Sequence, residues 1–235
     1  METIIQRSTE AFEADWKAAP NYDCYERELE NGSTKTYHVT MLYGSPYKEL
    51  VNINGKPLSK SAQNRQKQKL NREAARRRGE SPKAHAKRIG AYQKDRARDH
   101  RLIQQLTKAF DFKLSGTPEL NGHSVYYLEA TPKPDYQPPT RDTQVLTGMQ
   151  GKMWIDRKTF QWVKVEAKVI HPVSIEGFLA QVEPGTRFEL ERAPVPGGVW
   201  ENTHFSMRAT AKILFLVTHK TQTDESYFGY QKVRE

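Results

Sequence analysis

The chain of 235 residues has one cysteine, Cys24, which excludes an intramolecular disulfide and a cysteine-based zinc site. It has no run of about 18 apolar residues, so no membrane-spanning helix is expected. Hydrophobic residues make up 36%, below the roughly 45–50% of ordinary globular chains, a figure that also counts glycine. No secretory signal opens it, because Met1 leads into the polar stretch Glu2–Glu13. Either a cytosolic protein or a mature chain stripped of its leader fits that start. There is no G-x-S-x-G, P-loop or G-x-G-x-x-G pattern. The seven histidines (His38, His85, His100, His123, His171, His204, His219) form no HxH or HxxxH pair, so no metal site is expected. Carboxylates fall mostly on polar strand faces, where solvent exposure is the default. The sequence therefore predicts no catalytic residues, no cofactor and no metal. Cys24, among Tyr22, Tyr25 and Glu26, reads as a buried small hydrophobe.

Positive charge is plentiful and unevenly placed. The chain carries 37 Lys+Arg against 28 Asp+Glu, a net charge of +9. Residues 59–101 hold fifteen of the cations and only Glu73, Glu80, Asp95 and Asp99 as acids. The local balance is +11, so everything outside that segment sums to −2. A near-neutral body (1–58 and 102–235) is expected to carry one strongly basic insert (59–101).

Periodicity supplies the elements. Ile5, Thr9, Phe12 and Trp16 recur at helical spacing before Pro20. Tyr37, Val39, Met41 and Tyr43 then alternate with polar neighbours as a strand, and Tyr47–Ile53 follows the turn Gly44-Ser45-Pro46. Residues 60–78 are rich in helix formers, with Leu70 their only large apolar residue. After Gly79, Ser81 and Pro82 can start a second helix, which turns apolar only at Ile103, Leu106 and Phe110. Strands resume beyond Asp111. Val163, Val165, Ala167 and Val169 alternate with Lys164, Glu166 and Lys168. Phe188 and Leu190 share a face. Phe205, Met207, Ala209, Ala211, Ile213 and Phe215 form the cleanest stripe. About eight to ten strands in hairpin order predict a mainly β fold with α: a strongly curved antiparallel sheet with one wet face, an incomplete barrel covered by helices.

Two binding surfaces follow. An apolar face lined by Val39, Met41, Val163, Val165, Val169, Phe205, Met207, Ile213 and Phe215 would accept an acyl chain, since apolar contact needs no particular polar partner. In the insert, Arg72, Arg76, Arg77, Arg78, Lys87 and Arg88 would attract an anionic partner. The plain reading of that segment is a solvated helical hairpin. An anionic membrane surface or a protein partner comes next. Nucleic acid comes last, because Tyr92 is the segment's only aromatic and single-strand binders interleave several stacking rings.

Several strings, in order along nearly the whole chain, resemble a known group. They are Tyr22-Asp23-Cys24-Tyr25-Glu26-Arg27-Glu28, Gly44-Ser45-Pro46-Tyr47, Asn54-Gly55-Lys56-Pro57-Leu58-Ser59, Gly151-Lys152-Met153-Trp154-Ile155-Asp156, and Phe188-Glu189-Leu190-Glu191 with Val199-Trp200. The group is a set of exported bacterial proteins similar to the outer-membrane lipoprotein-sorting carriers, the LolA/LolB-like superfamily. The resemblance implies an incomplete antiparallel barrel closed by helices around an apolar cavity, a periplasmic location, and a non-enzymatic carrier of a lipid or lipoprotein acyl chain. The alternative is a scaffold or sensor module that docks through its basic insert.

Overall fold

The computed structural model describes residues 1–30, 32–175, 180–213 and 217–233. Helix α1 spans Glu2–Ala18 and ends in a 3-10 turn, Ala19–Asn21. Strands β1 (Tyr22–Glu30), β2 (Ser33–Leu42), β3 (Ser45–Ile53) and β4 (Lys56–Pro57) follow as a meander. Helices α2 (Lys60–Arg78) and α3 (Pro82–Ala109) come next, then β5 (Phe110–Gly116), β6 (Glu119–Leu120) and β7 (His123–Pro132). A 3-10 segment, Arg141–Gly148, leads into β8 (Met149–Asp156) and β9 (Trp162–Val169). The chain finishes with β10 (Val173–Ser174), β11 (Ala180–Val182), β12 (Arg187–Pro194), β13 (Trp200–Ile213) and β14 (Val217–Lys232).

All described pairings are antiparallel, and the main path runs β4-β3-β2-β1-β14-β13-β12-β9-β8-β7-β5. The first and last strands therefore meet in the middle, with Glu26 opposite Tyr227 and Glu28 opposite Glu225. That junction joins the N-terminal meander to the rest. The sheet stays open, with β4 and β5 at its edges. The expected fold class, a curved antiparallel sheet with helices on one face, is what the structure has.

The helices form because their local signals agree. Ser59 and Ser81 each cap a helix, accepting a bond from the backbone N–H three residues on, of Ala62 and Ala84. Pro82 sits in the first turn of α3, where no N–H is needed. Helix α3 then runs through residue 101 without interruption and brings Ile103, Leu106 and Ala109 onto the sheet.

The core lies between the helices and β5, β7, β8, β9 and β12. One cluster centres on Ala109, Phe110, Leu146, Met149 and Val169. A second joins Ile5 and Phe12 of α1 to Leu128, Met153, Ile155, Trp162 and Val165. The helix-period reading of α1 needs one correction. Beside Ile5 and Phe12, its buried positions are Ser8 and Asp15 rather than Thr9 and Trp16, and polar partners on the sheet hold them. Alternation also breaks at the start of β9. Trp154 faces Lys164 while Ile155 faces Trp162, so Val163 is the extra residue of a bulge. It packs with Val125 and Trp200 in a separate cluster, away from Val165 and Val169.

Candidate functional site

The covered face of the sheet is filled. Between α3, the 3-10 segment and the sheet, a gap of about 30 Å³ remains, lined by Leu106, Phe110, Phe112, Leu146, Met149, Met153, Val165 and Phe188. Ligand pockets run to about 300–1,000 Å³, so this gap holds no acyl chain in the conformation described.

Polar contacts latch the helical layer to the sheet. Trp162 Nε1 donates to Ser8 Oγ at 2.5 Å, and Gln161 Nε2 donates to the Ala11 carbonyl at 3.2 Å. Arg192 on β12 donates to Asp15 Oδ2 of α1 at 3.3 Å and to the Trp200 carbonyl. Its guanidinium also lies 4.6 Å from the Phe12 ring centroid. The side chains of Arg192 and Asp15 are only 4% and 8% exposed. Burial disfavours the charge on both: it raises the Asp15 carboxyl against the pull of Arg192, and it lowers the Arg192 guanidinium against Asp15 and Glu201. Nearby, burial lifts Glu201 from its ordinary 4.5 to about 7, although Arg192 pulls it down. Among the described residues, Glu201 Oε1 and Arg192 Nε find no hydrogen-bond partner. At the helix crossing, His100 stacks on Trp16 at 4.1 Å and its Nε2 lies 2.7 Å from Glu13 Oε1. Arg96 donates to the Trp16 carbonyl.

The described members of the nine apolar residues expected to line a cavity lie at several places on the sheet. Val165 and Val169 are core, and Val163 lies in the bulge. Phe205 and Met207 are half-buried opposite Leu190 and Phe188. Val39 sits further along, opposite Cys24 and Lys48. The Met41 N–H donates to Asp23 Oδ1 at 2.7 Å. The backbone of Ile213 pairs with Ala180 and Val217; Phe215 lies outside the described residues. Around β1 the same face is polar and aromatic. Lys48 Nζ bridges Glu26 (2.7 Å) and Glu28 (2.8 Å), and burial pushes the Cys24 thiol up to about 12. That thiol is protonated at neutral pH, but Cys24 is half-buried rather than buried as expected.

The basic insert is ordered by its own arginines. Arg77 is buried. Its Nη1 donates to the carbonyls of Leu42 and Ser45 (both 2.8 Å), Nη2 to the Pro46 carbonyl (3.3 Å) and Nε to Glu73 (2.6 Å). Arg88 donates to the Tyr43 carbonyl (3.0 Å), to Ser45 Oγ (2.7 Å) and to Glu80 (2.9 Å). Arg76 pairs with Glu73 and Glu80, and Arg78 Nε donates to the Tyr43 hydroxyl at 2.9 Å. Hydrogen bonds from Arg76, with help from Arg77, hold the Glu73 carboxyl down at about 2. Three of the six cations expected to face an anionic partner, Arg77, Arg78 and Arg88, thus fasten the helical hairpin to the β2–β3 turn, and Arg76 is engaged within the hairpin itself. Arg72 and Lys87 remain exposed.

Sequence reasoning missed Arg192, Asp15 and Glu201. A signal existed for Arg192, since it follows Phe188 and Leu190 at the inward period of two. Among the described residues no group of three His, Cys, Asp or Glu side chains could hold a metal. No described helix is long and apolar enough to cross a membrane.

No protein-family model and no curated protein matches the chain. Several solved structures are distantly similar to it. The chain is similar to LolA-superfamily structures. One is a LolA superfamily protein from Nitrosomonas europaea, at 12% identity over 100% of this chain and 93% of that one, with a TM-score of 0.34. Another is an outer membrane lipoprotein-sorting protein domain from Vibrio parahaemolyticus, at 10% identity over 97% and 93%, TM-score 0.35. A third is a DUF1329 family protein from Desulfovibrio piger, at 11% over 98% and 92%, TM-score 0.36. Likenesses this distant assign no role to any residue, which leaves function to the chemistry of the site.

Proposed function

We propose that the protein is a non-enzymatic periplasmic binding protein that takes the acyl chain of a lipid or lipoprotein between its helical layer and its sheet. The described conformation is then the closed one. The observation that carries this reading is the Arg192–Asp15 pair. It is almost fully buried beside the Phe12 ring and ties α1 to β12. Apolar residues of the same volume would close such a layer at least as firmly. A buried ion pair instead gives the layer one defined seat that it can leave and regain. The surface beneath suits an acyl chain, since Leu106, Met149, Met153, Val165 and Phe188 offer only carbon and sulfur. The two methionines can repack around a chain.

The test is titration with a fluorescent fatty acid, cis-parinaric acid. The wild type should bind it saturably near one to one. A double variant Asp15→Leu/Arg192→Met, with its layer sealed by carbon, should fold and bind about tenfold more weakly. No saturable binding by the wild type would overturn the proposal.

A second reading is favoured by the outward faces of the insert. Lys60, Lys67, Lys69, Arg72, Lys83, Lys87 and Lys94 are all exposed there. This set suits an anionic membrane surface. Changing Lys67, Lys69 and Arg72 to Glu should abolish sedimentation with phosphatidylglycerol vesicles at low salt; unchanged sedimentation would remove this reading.

A further inference from the structure

The uncovered face of the sheet holds a cleft of about 580 Å³ across β8, β9, β12, β13 and β14. Its size lies within the range of small-ligand pockets, about 300–1,000 Å³. Register places Lys168 directly opposite Arg187, and Arg187 directly opposite Arg208. Gln150 and Gln222 continue the same row at its two ends. Directly opposed side chains on a pleated sheet stand about 4.5–5.5 Å apart at Cβ, and like charges at that spacing destabilise the pairing.

The neighbouring acids do not relieve this. Glu166, Glu189 and Glu191 gather on Lys164, at 3.1, 2.5 and 3.3 Å. Burial alone would lower the Lys164 ammonium, yet these carboxylates hold it above its ordinary value. Among the described residues, no carboxylate lies within ion-pair distance of Lys168, Arg187 or Arg208. Three cations thus stand in line in a cleft with no ion pair among the described residues, while of the acids that line the same cleft Glu166 and Glu189 are engaged on Lys164 and Asp224 on His204.

We propose that this row binds a phosphate-class oxyanion, at a site separate from the acyl-chain reading and on the opposite face of the sheet. Two guanidinium forks and an ammonium suit the several oxygens and double charge of a phosphate better than a single carboxylate. Three strands span about 10 Å, enough for a phosphomonoester or a diphosphate. The two glutamine amides can donate to the outer oxygens. The acidic row alongside would repel a broad polyanion such as a nucleic acid.

Calorimetric titration of the full chain with inorganic phosphate and with pyrophosphate, at fixed ionic strength, forms one arm. Sedimentation with phosphatidylcholine vesicles containing phosphatidic acid forms the other. Binding in the first arm that falls about tenfold or more in Arg187→Gln and in Arg208→Gln assigns a soluble anion. The same dependence in the vesicle arm alone assigns a lipid headgroup. Lys56→Gln, exposed on the edge strand β4, should change neither. Without ligand, Arg187→Gln should melt no lower than the wild type, because it removes a like-charge contact. Loss of binding through misfolding would instead show as a lowered melting temperature. No binding in either arm, or binding that ignores Arg187 and Arg208, overturns the proposal.

Discussion

Arg77 shows how one side chain can change the meaning of a sequence. Within Arg76-Arg77-Arg78 it reads as one of three equivalent charges, yet it alone is buried, bonded to three backbone carbonyls of the β2–β3 turn and that turn's end. Replacing it with Ala should cost about 2–4 kcal/mol, through buried carbonyls left without donors, and should free the hairpin. Urea unfolding and limited proteolysis between residues 60 and 90 would show both; a loss below about 0.5 kcal/mol, the surface norm, would contradict the contact. Glu201 makes a second residue-scale prediction. Its carboxyl is raised from 4.5 to about 7, so the folded state holds a proton that the unfolded state releases. The associated stability is complete below pH 4.5 and disappears as pH rises through 7. Unfolding free energy should fall over that window by something on the order of 2 kcal/mol, and Glu201→Gln should flatten the fall. A Glu201→Gln profile that overlays the wild type would count against the shift. Neither residue's role was legible in the sequence. The burial of Arg77 depends on a turn thirty-odd positions away, and that of Glu201 on a helix docking over it.

At the scale of elements, the strands were legible because one side of each is apolar. The helices were legible from their caps, Ser59 and Ser81. Two things escaped. The bulge at Val163 cannot be read from alternation, since a pattern of period two continues through it unchanged. The inward face of α1 was misjudged because Ser8 and Asp15 look like surface residues until Trp162 and Arg192 are placed opposite them. The latch these residues make gives a third prediction. Asp15→Ala leaves the Arg192 guanidinium buried without its carboxylate and should cost about 3–5 kcal/mol. The double change Asp15→Leu/Arg192→Met should be neutral or stabilising by comparison. Thermal and urea unfolding of the three proteins gives the comparison directly. Equal losses in the single and double variants would mean that the pair is not coupled.

For the whole molecule, the sequence set out two surfaces, an apolar concavity and a basic arm, and the structure redistributes both. The apolar residues close into a core around a gap of about 30 Å³, while a cleft of about 580 Å³ opens on the charged face. Arg77 and Arg88 of the arm turn inward to the β2–β3 turn, while its lysines stay exposed together with Arg65 and Arg72. Composition could not show this, since pairing decides which charges are available. The central claim is that the helical layer lifts to admit an acyl chain, and hydrogen exchange tests it most directly. Amide exchange should be followed by mass spectrometry with and without saturating cis-parinaric acid. The expected result is altered protection across α1 and the C-terminal half of α3, with β7, β8 and β9 unchanged. Protection that stays the same in both helices at saturating probe would contradict it.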